Sequence, residues 1–132
     1  MTRTFRQFIG VDQVKSYNSR KEVPEKYKWD LSNFVKDEKD YQEKTAFVKE
    51  NLKKLKDFVG CTKDSKKLRE YMEFDIELGG CLERLDAYTY LLQDEDLAND
   101  EAKEKRLNVL NLLTEYVYES SFFTPELIAL SK

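Results

Sequence analysis

Histidine is absent from all 132 residues of the sequence. Its absence removes the commonest general base, the imidazole ligands of zinc, and every Ser-His or Cys-His nucleophilic arrangement. Catalysis by carboxylates alone stays open in principle, but no pair of acids sits in an apolar run that would raise a pKa. Glycine (4) and proline (2) are scarce, which disfavours a strand-and-turn fold and suits long amphipathic helices. No apolar run approaches the ~20 residues of a membrane span, and the N-terminus lacks the apolar stretch of a signal peptide. A cytoplasmic protein without a membrane partner is therefore expected. The two cysteines, Cys61 and Cys81, stand without a framework around them and read as reduced thiols rather than a disulfide. Neither sign of charge dominates: 23 Lys and Arg face 26 Asp and Glu, for a net charge of −3. There is thus no global electrostatic case for nucleic acid.

What is present is helical periodicity. Residues 1–22 show none and read as an irregular lead-in; residues 23–132 read as one helical domain. Asp30 is placed to cap a short turn through Asn33, with Trp29 and Phe34 as apolar anchors. Asp37 is a good N-cap, followed by Glu38 and Asp40 in the first turn. Tyr41, Thr45, Val48, Leu52, Leu55 and Val59 then predict one helical face, with Gly60 as a left-handed stop. A second helix is predicted from Asp64-Ser65 to Gln93, with Leu68, Met72, Ile76, Gly79, Leu82, Leu85 and Leu92 on its face. Gly79-Gly80 interrupts that face and predicts either a kink or, preferably, a close helix crossing. A third helix, capped by Asn99 or Asp100, carries the stripe Leu107, Leu110, Leu113 and Val117, broadened by Val109, Leu112 and Tyr116. Thr124-Pro125-Glu126 then reads as cap, first helical residue and dipole partner of a fourth helix. Short connections place successive helices antiparallel. The expected fold class is all-α: an up-down array of three long antiparallel helices plus the start of a fourth.

Three groups of side chains could carry function. Asp94, Glu95, Asp96, Asp100 and Glu101 could gather oxygen ligands for calcium, but Asn99 and Lys105 break the EF-hand template begun at Asp94. A solvated acidic loop is the plainer reading. Lys53, Lys54 and Lys56 with Lys63, Lys66 and Lys67 form a basic corner without aromatic platforms, which reads as solvated surface rather than a phosphate or RNA site. Tyr88, Tyr90, Tyr116, Tyr118, Phe122 and Phe123 could line a groove for an apolar peptide, although helical spacing explains them equally as core and flank residues.

Three ordered segments resemble the N-terminal region of the oligoendopeptidase F family, zinc metallopeptidases related to the thimet-type oligopeptidases. They are Arg20-Lys21-Glu22-Val23-Pro24 leading to Lys28-Trp29-Asp30-Leu31, then Leu85-Asp86-Ala87-Tyr88 with Asp94-Glu95-Asp96 and Asn99 downstream, and lastly Ser121-Phe122-Phe123-Thr124-Pro125-Glu126-Leu127. The last is close to the family's Phe-x-Pro-Glu-Leu stretch. The resemblance covers roughly residues 20–132. It implies an all-helical enzyme of several hundred residues whose H-E-x-x-H helix and a further glutamate bind zinc, above a channel that admits short peptides. None of those ligands is present here, so no catalytic or metal-binding residue is assigned to this chain, and no substrate-binding residue is named. The implied role is a non-catalytic N-terminal helical domain that walls or covers the channel. Zinc would belong to the full-length protein. The implied partners are the remainder of that peptidase and short peptides, with self-association through exposed apolar surface. The competing expectation is a stand-alone helical binding or scaffold module.

Overall fold

The computed structural model describes residues 16–130. Among them every regular element is an α-helix or a 3₁₀ turn, so the fold is all-helical. Residues 1–15, which hold most of the expected lead-in, lie outside the described residues. Its described end is tied down: Arg20–Glu22 forms a 3₁₀ turn, and the Arg20 guanidinium pairs with Glu95. Asp30 does accept from the Ser32 amide at 3.0 Å. Phe34 packs against the core as expected, with Val35 buried beside it, whereas Trp29 is exposed rather than an anchor.

Helix α1 spans Glu38–Leu52 and is opened by Asp37, whose side chain accepts from the Asp40 amide at 2.8 Å. Tyr41, Thr45, Val48 and Leu52 are buried along one face, as their spacing predicts. The helix does not run to Gly60. At Asn51 the backbone shifts to tighter i→i+3 bonding, with the Lys54 amide on the Asn51 carbonyl at 3.0 Å, and a 3₁₀ turn follows over Leu55–Phe58. Three residues per turn instead of 3.6 changes the phase of the face. Leu55 therefore still reaches the core, whereas Val59 is turned out to solvent. Gly60 keeps its predicted left-handed conformation, with φ of 84°, but it ends this turn and not the helix.

Helix α2 spans Ser65–Glu95, about 46 Å at 1.5 Å per residue. Asp64 caps it by accepting from the Lys66 and Lys67 amides at 2.8 and 3.2 Å. Its buried residues are Tyr71, Leu78, Leu82, Leu85 and Thr89. The predicted stripe is corrected in its first half: Met72 and Ile76 are exposed, because Tyr71 has taken the inward position against Phe58, Phe122 and Phe123.

Gly79-Gly80 leaves the helix unbroken, and the preferred close crossing is not there either. A Cβ on Gly79 would meet the Tyr116 hydroxyl at 3.7 Å, an ordinary contact, and one on Gly80 would meet nothing within 4 Å. Alanine at Gly80 should therefore stabilise the protein by about 1 kcal/mol through helix propensity alone. That corresponds to about 3–5 °C in melting temperature. A thermal melt of Gly80→Ala that is unchanged or lower would contradict this placement.

Helix α3 spans Asp100–Glu119 and is capped by Asn99, which accepts from the Ala102 amide at 3.1 Å. Here the predicted face is rotated. Ala102, Val109 and Leu112 are buried, with Leu113 and Tyr116 packed against the core, whereas Leu107, Leu110 and Val117 face outward. Two polar contacts with α2 set that rotation: Arg106 donates to Asp86, and the Tyr116 hydroxyl donates to Asp75 at 2.7 Å. Toward α1, Lys105 pairs with Glu38 and Asn108 donates to the Tyr41 hydroxyl at 3.2 Å. Helix α4, Phe123–Ala129, begins earlier than predicted: Phe122 stands at the cap position, Thr124 makes no side-chain cap bond, and Pro125 lies within the first turn. Its carboxylate at Glu126 is used elsewhere.

Candidate functional site

Four of the five acids of the loop are committed to protein partners, and Asp94 is exposed. Glu95 accepts from Arg20 and from the Trp29 amide at 3.2 Å, and Asp96 accepts from the Ala98 amide at 3.0 Å. Asp100 pairs with Lys103 at 2.9 Å and Glu101 with Lys105 at 2.8 Å. Among the described residues no three Cys, Asp or Glu side chains come together as metal ligands. With histidine absent from the sequence, no imidazole ligand for zinc is available in this chain. The lysine corner stays exposed, with Lys54 turned onto Glu50 at 3.1 Å.

The six aromatics do not converge on one groove. Tyr88 packs near Tyr41, with ring centroids 6.2 Å apart, beside the Lys105 ammonium. Burial alone would lower the Lys105 pKa, but hydrogen bonds to Glu101 and Glu38 outweigh it and raise it. Tyr116 is bound to Asp75, and burial followed by that bond raises its phenol pKa. Tyr90 and Tyr118 are exposed. Only Phe122 and Phe123 share a location, at the corner where α4 meets the turn between α1 and α2.

That corner is the densest aromatic cluster. Tyr71 has its ring centroid 5.5 Å from Phe58, 5.6 Å from Phe122 and 4.6 Å from Phe123, and Phe74 extends the group through Phe58 at 5.1 Å. Glu126 locks α4 over it, accepting from the Gly60 amide at 2.8 and 3.0 Å and from the Thr62 hydroxyl at 3.3 Å. Sequence reasoning placed Glu126 only as a partner of its own helix dipole. A contact across more than 60 residues leaves no local signal.

The feature least accounted for by the interior is apolar and outward. On α2, Met72, Ile76, Gly79, Glu83, Asp86 and Tyr90 recur at spacings of 4, 3, 4, 3 and 4, a single stripe. Gly79 and Asp86 in that stripe lie against α3, next to Tyr116 and Arg106. On α3, Arg106, Leu110, Leu113 and Val117 form the matching stripe, and the Arg106 guanidinium sits 5.5 Å from the Tyr90 ring. Ile76, by contrast, lines a groove toward α1 with Lys44 and Phe47. Met72, Ile76, Leu107, Leu110 and Val117 leave between 41% and 73% of their surface open. The exposed face of α1 carries Lys39, Glu43 and Glu50, whereas Gln42 and Lys49 line a groove with Glu101, Glu104 and Lys105 of α3.

Among curated proteins, the chain is similar to the group B oligopeptidase PepB of Streptococcus agalactiae serotype III (strain NEM316). The two are 26% identical over 116 residues, which is 87% of this chain and 19% of that protein. The chain thus spans about a fifth of the length of the relative it matches. No family model and no solved structure matches it.

Proposed function

We propose that this chain is a non-catalytic N-terminal helical domain of an oligoendopeptidase F-like zinc metallopeptidase, helping to wall or cover the channel through which short peptides reach the metal. The observation that carries this reading is the similarity to an oligopeptidase along 87% of the chain. The absence of histidine supports the division of labour, since hydrolysis would fall to zinc ligands supplied by other parts of the protein. The exposed apolar residues, among them Met72, Leu107, Leu110, Val117, Ile128 and Leu130, support it too, as a wall needs a body to lean on. The up-down array belongs to the same reading. Its support is the order of cross-helix contacts: Arg106 early in α3 meets Asp86 late in α2, while Tyr116 late in α3 meets Asp75 early in α2. A cytoplasmic setting is likewise part of the proposal; among the described residues no helix is long and apolar enough to cross a membrane.

The test is direct. Purified chain is expected to hydrolyse no short fluorogenic peptide above the blank, with or without added zinc, and the coding sequence past Lys132 is expected to continue in frame to an H-E-x-x-H segment. Zinc-dependent cleavage by the contaminant-free chain would overturn the non-catalytic role. A natural stop codon would return the chain to the alternative, a stand-alone helical binding or scaffold module.

A further inference from the structure

We propose that α4 is a latch: it opens and closes over the corner between α1 and α2 as a unit of its own, and the Glu126 carboxylate holds it shut. Every group involved belongs to this chain, so the latch does not depend on the peptidase reading. Helix α4 is seven residues long and has no buried residue. Isolated helices shorter than about 12–15 residues are marginal in water, so α4 keeps its shape only while seated. Its apolar side chains are divided. Phe123 packs inward, its ring centroid 4.6 Å from that of Tyr71, whereas Leu127, Ile128 and the following Leu130 leave between 46% and 57% of their surface open. A helix with this much apolar surface in water gains little burial from its seat. A directional contact must supply much of the hold.

Glu126 makes that contact. It accepts from the Gly60 amide at 2.8 and 3.0 Å and from the Thr62 hydroxyl at 3.3 Å. A carboxylate on a backbone amide is a charge-assisted bond, about twice as strong as a neutral one. Among the described residues no backbone carbonyl takes the Gly60 amide, so this donor has its protein partner only while α4 is closed. The bundle does not need α4 to stand. Leu52, Leu78, Leu85 and Val109 are fully enclosed between α1, α2 and α3, and the pairs Lys105–Glu38, Arg106–Asp86 and Tyr116–Asp75 tie those helices together. Tyr71 keeps Phe58, at 5.5 Å, when α4 lifts. Few buried contacts and one tether are the marks of a segment that opens locally, below the free energy of global unfolding.

Amide hydrogen exchange followed by NMR on the 132-residue chain reads the latch directly, because Glu126 protects the Gly60 amide and the interior of α2 protects that of Leu82. In the natural chain the protection factor of Gly60 should lie about a hundredfold or more below that of Leu82. It should also change little in dilute urea, since lifting α4 exposes little surface. Glu126→Ala should cut Gly60 protection by about tenfold or more, with Leu82 still protected far better than Gly60. Glu126→Gln keeps an acceptor for the amide and should restore part of the loss. Gly60 protection equal to that of Leu82, with the same urea dependence, would overturn the proposal by making α4 part of the bundle's single unfolding unit. Unchanged Gly60 protection in Glu126→Ala would overturn it by showing that another group holds the helix.

Discussion

Replacing Tyr71 with alanine is expected to destabilise the protein by about 3–5 kcal/mol, the range for removing a large aromatic side chain from a core. Tyr71 is 2% exposed and is the one ring shared by α2, the turn after α1 and the start of α4. Its loss removes the surface on which Phe122 and Phe123 sit, so the hole cannot be closed by a small shift of one neighbour. In melting temperature the effect should be roughly 10–20 °C for a domain of this size. Tyr71→Phe keeps the ring and should retain most of the stability. Urea unfolding followed by far-ultraviolet circular dichroism measures both variants. A loss below about 1 kcal/mol for Tyr71→Ala would mean that the corner is not the packed cluster described.

The second large effect is alkaline. Burial, with the charges of Asp75 and Cys61 adding to it, pushes the Tyr71 phenol up to about 12. In the unfolded chain a tyrosine ionises near 10. The unfolded state therefore releases this proton first as pH rises. The stability that the neutral phenol contributes is complete below pH 10 and is lost as pH climbs through 12. At about 1.4 kcal/mol per pKa unit, the loss is on the order of 3 kcal/mol. Tyr116 acts in the same direction, through burial and its bond to Asp75, and Tyr88 does so through burial. Urea midpoints at pH 9 and pH 11.5 should fall steeply for the natural chain and less for Tyr71→Phe. Equal slopes for the two would show that the buried phenol does not carry the alkaline loss.

The caps were legible because their chemistry is local. Asp37, Asp64 and Asn99 each bond to an amide two or three residues ahead, so a short window of sequence contains the whole interaction. The first half of α1's face was legible for the same reason: only one apolar stripe exists there. Over α2 and α3 the sequence offers two candidate stripes, Met72 and Ile76 against Tyr71 and Leu78, and Leu107, Leu110 and Val117 against Val109 and Leu112. Helical period is satisfied by both. The early end of α1 was hidden differently, because the change to 3₁₀ bonding at Asn51 preserves the burial of Leu55 and displaces only Val59 from the face.

The exposed apolar residues were visible in composition but expected on the inward faces. Of the residues expected on the α3 face, Val109, Leu112, Leu113 and Tyr116 do meet the core while Leu107, Leu110 and Val117 are turned outward, and the aromatic groove is dispersed over three places and two exposed flanks.

The amino-acid sequence by itself determined that the chain is helical, where most of its helices start, and that no imidazole chemistry is available to it. Each of these depends on residue identity or on neighbours within one helical turn. Only the tertiary structure decided which apolar stripe faces inward, that Glu126 spans to Gly60 and Thr62, and that Met72, Ile76, Leu107, Leu110 and Val117 stay exposed. Those outcomes depend on the shape and hydrogen-bonding capacity of groups far apart along the chain, and a periodicity of 3.6 residues carries no information about them.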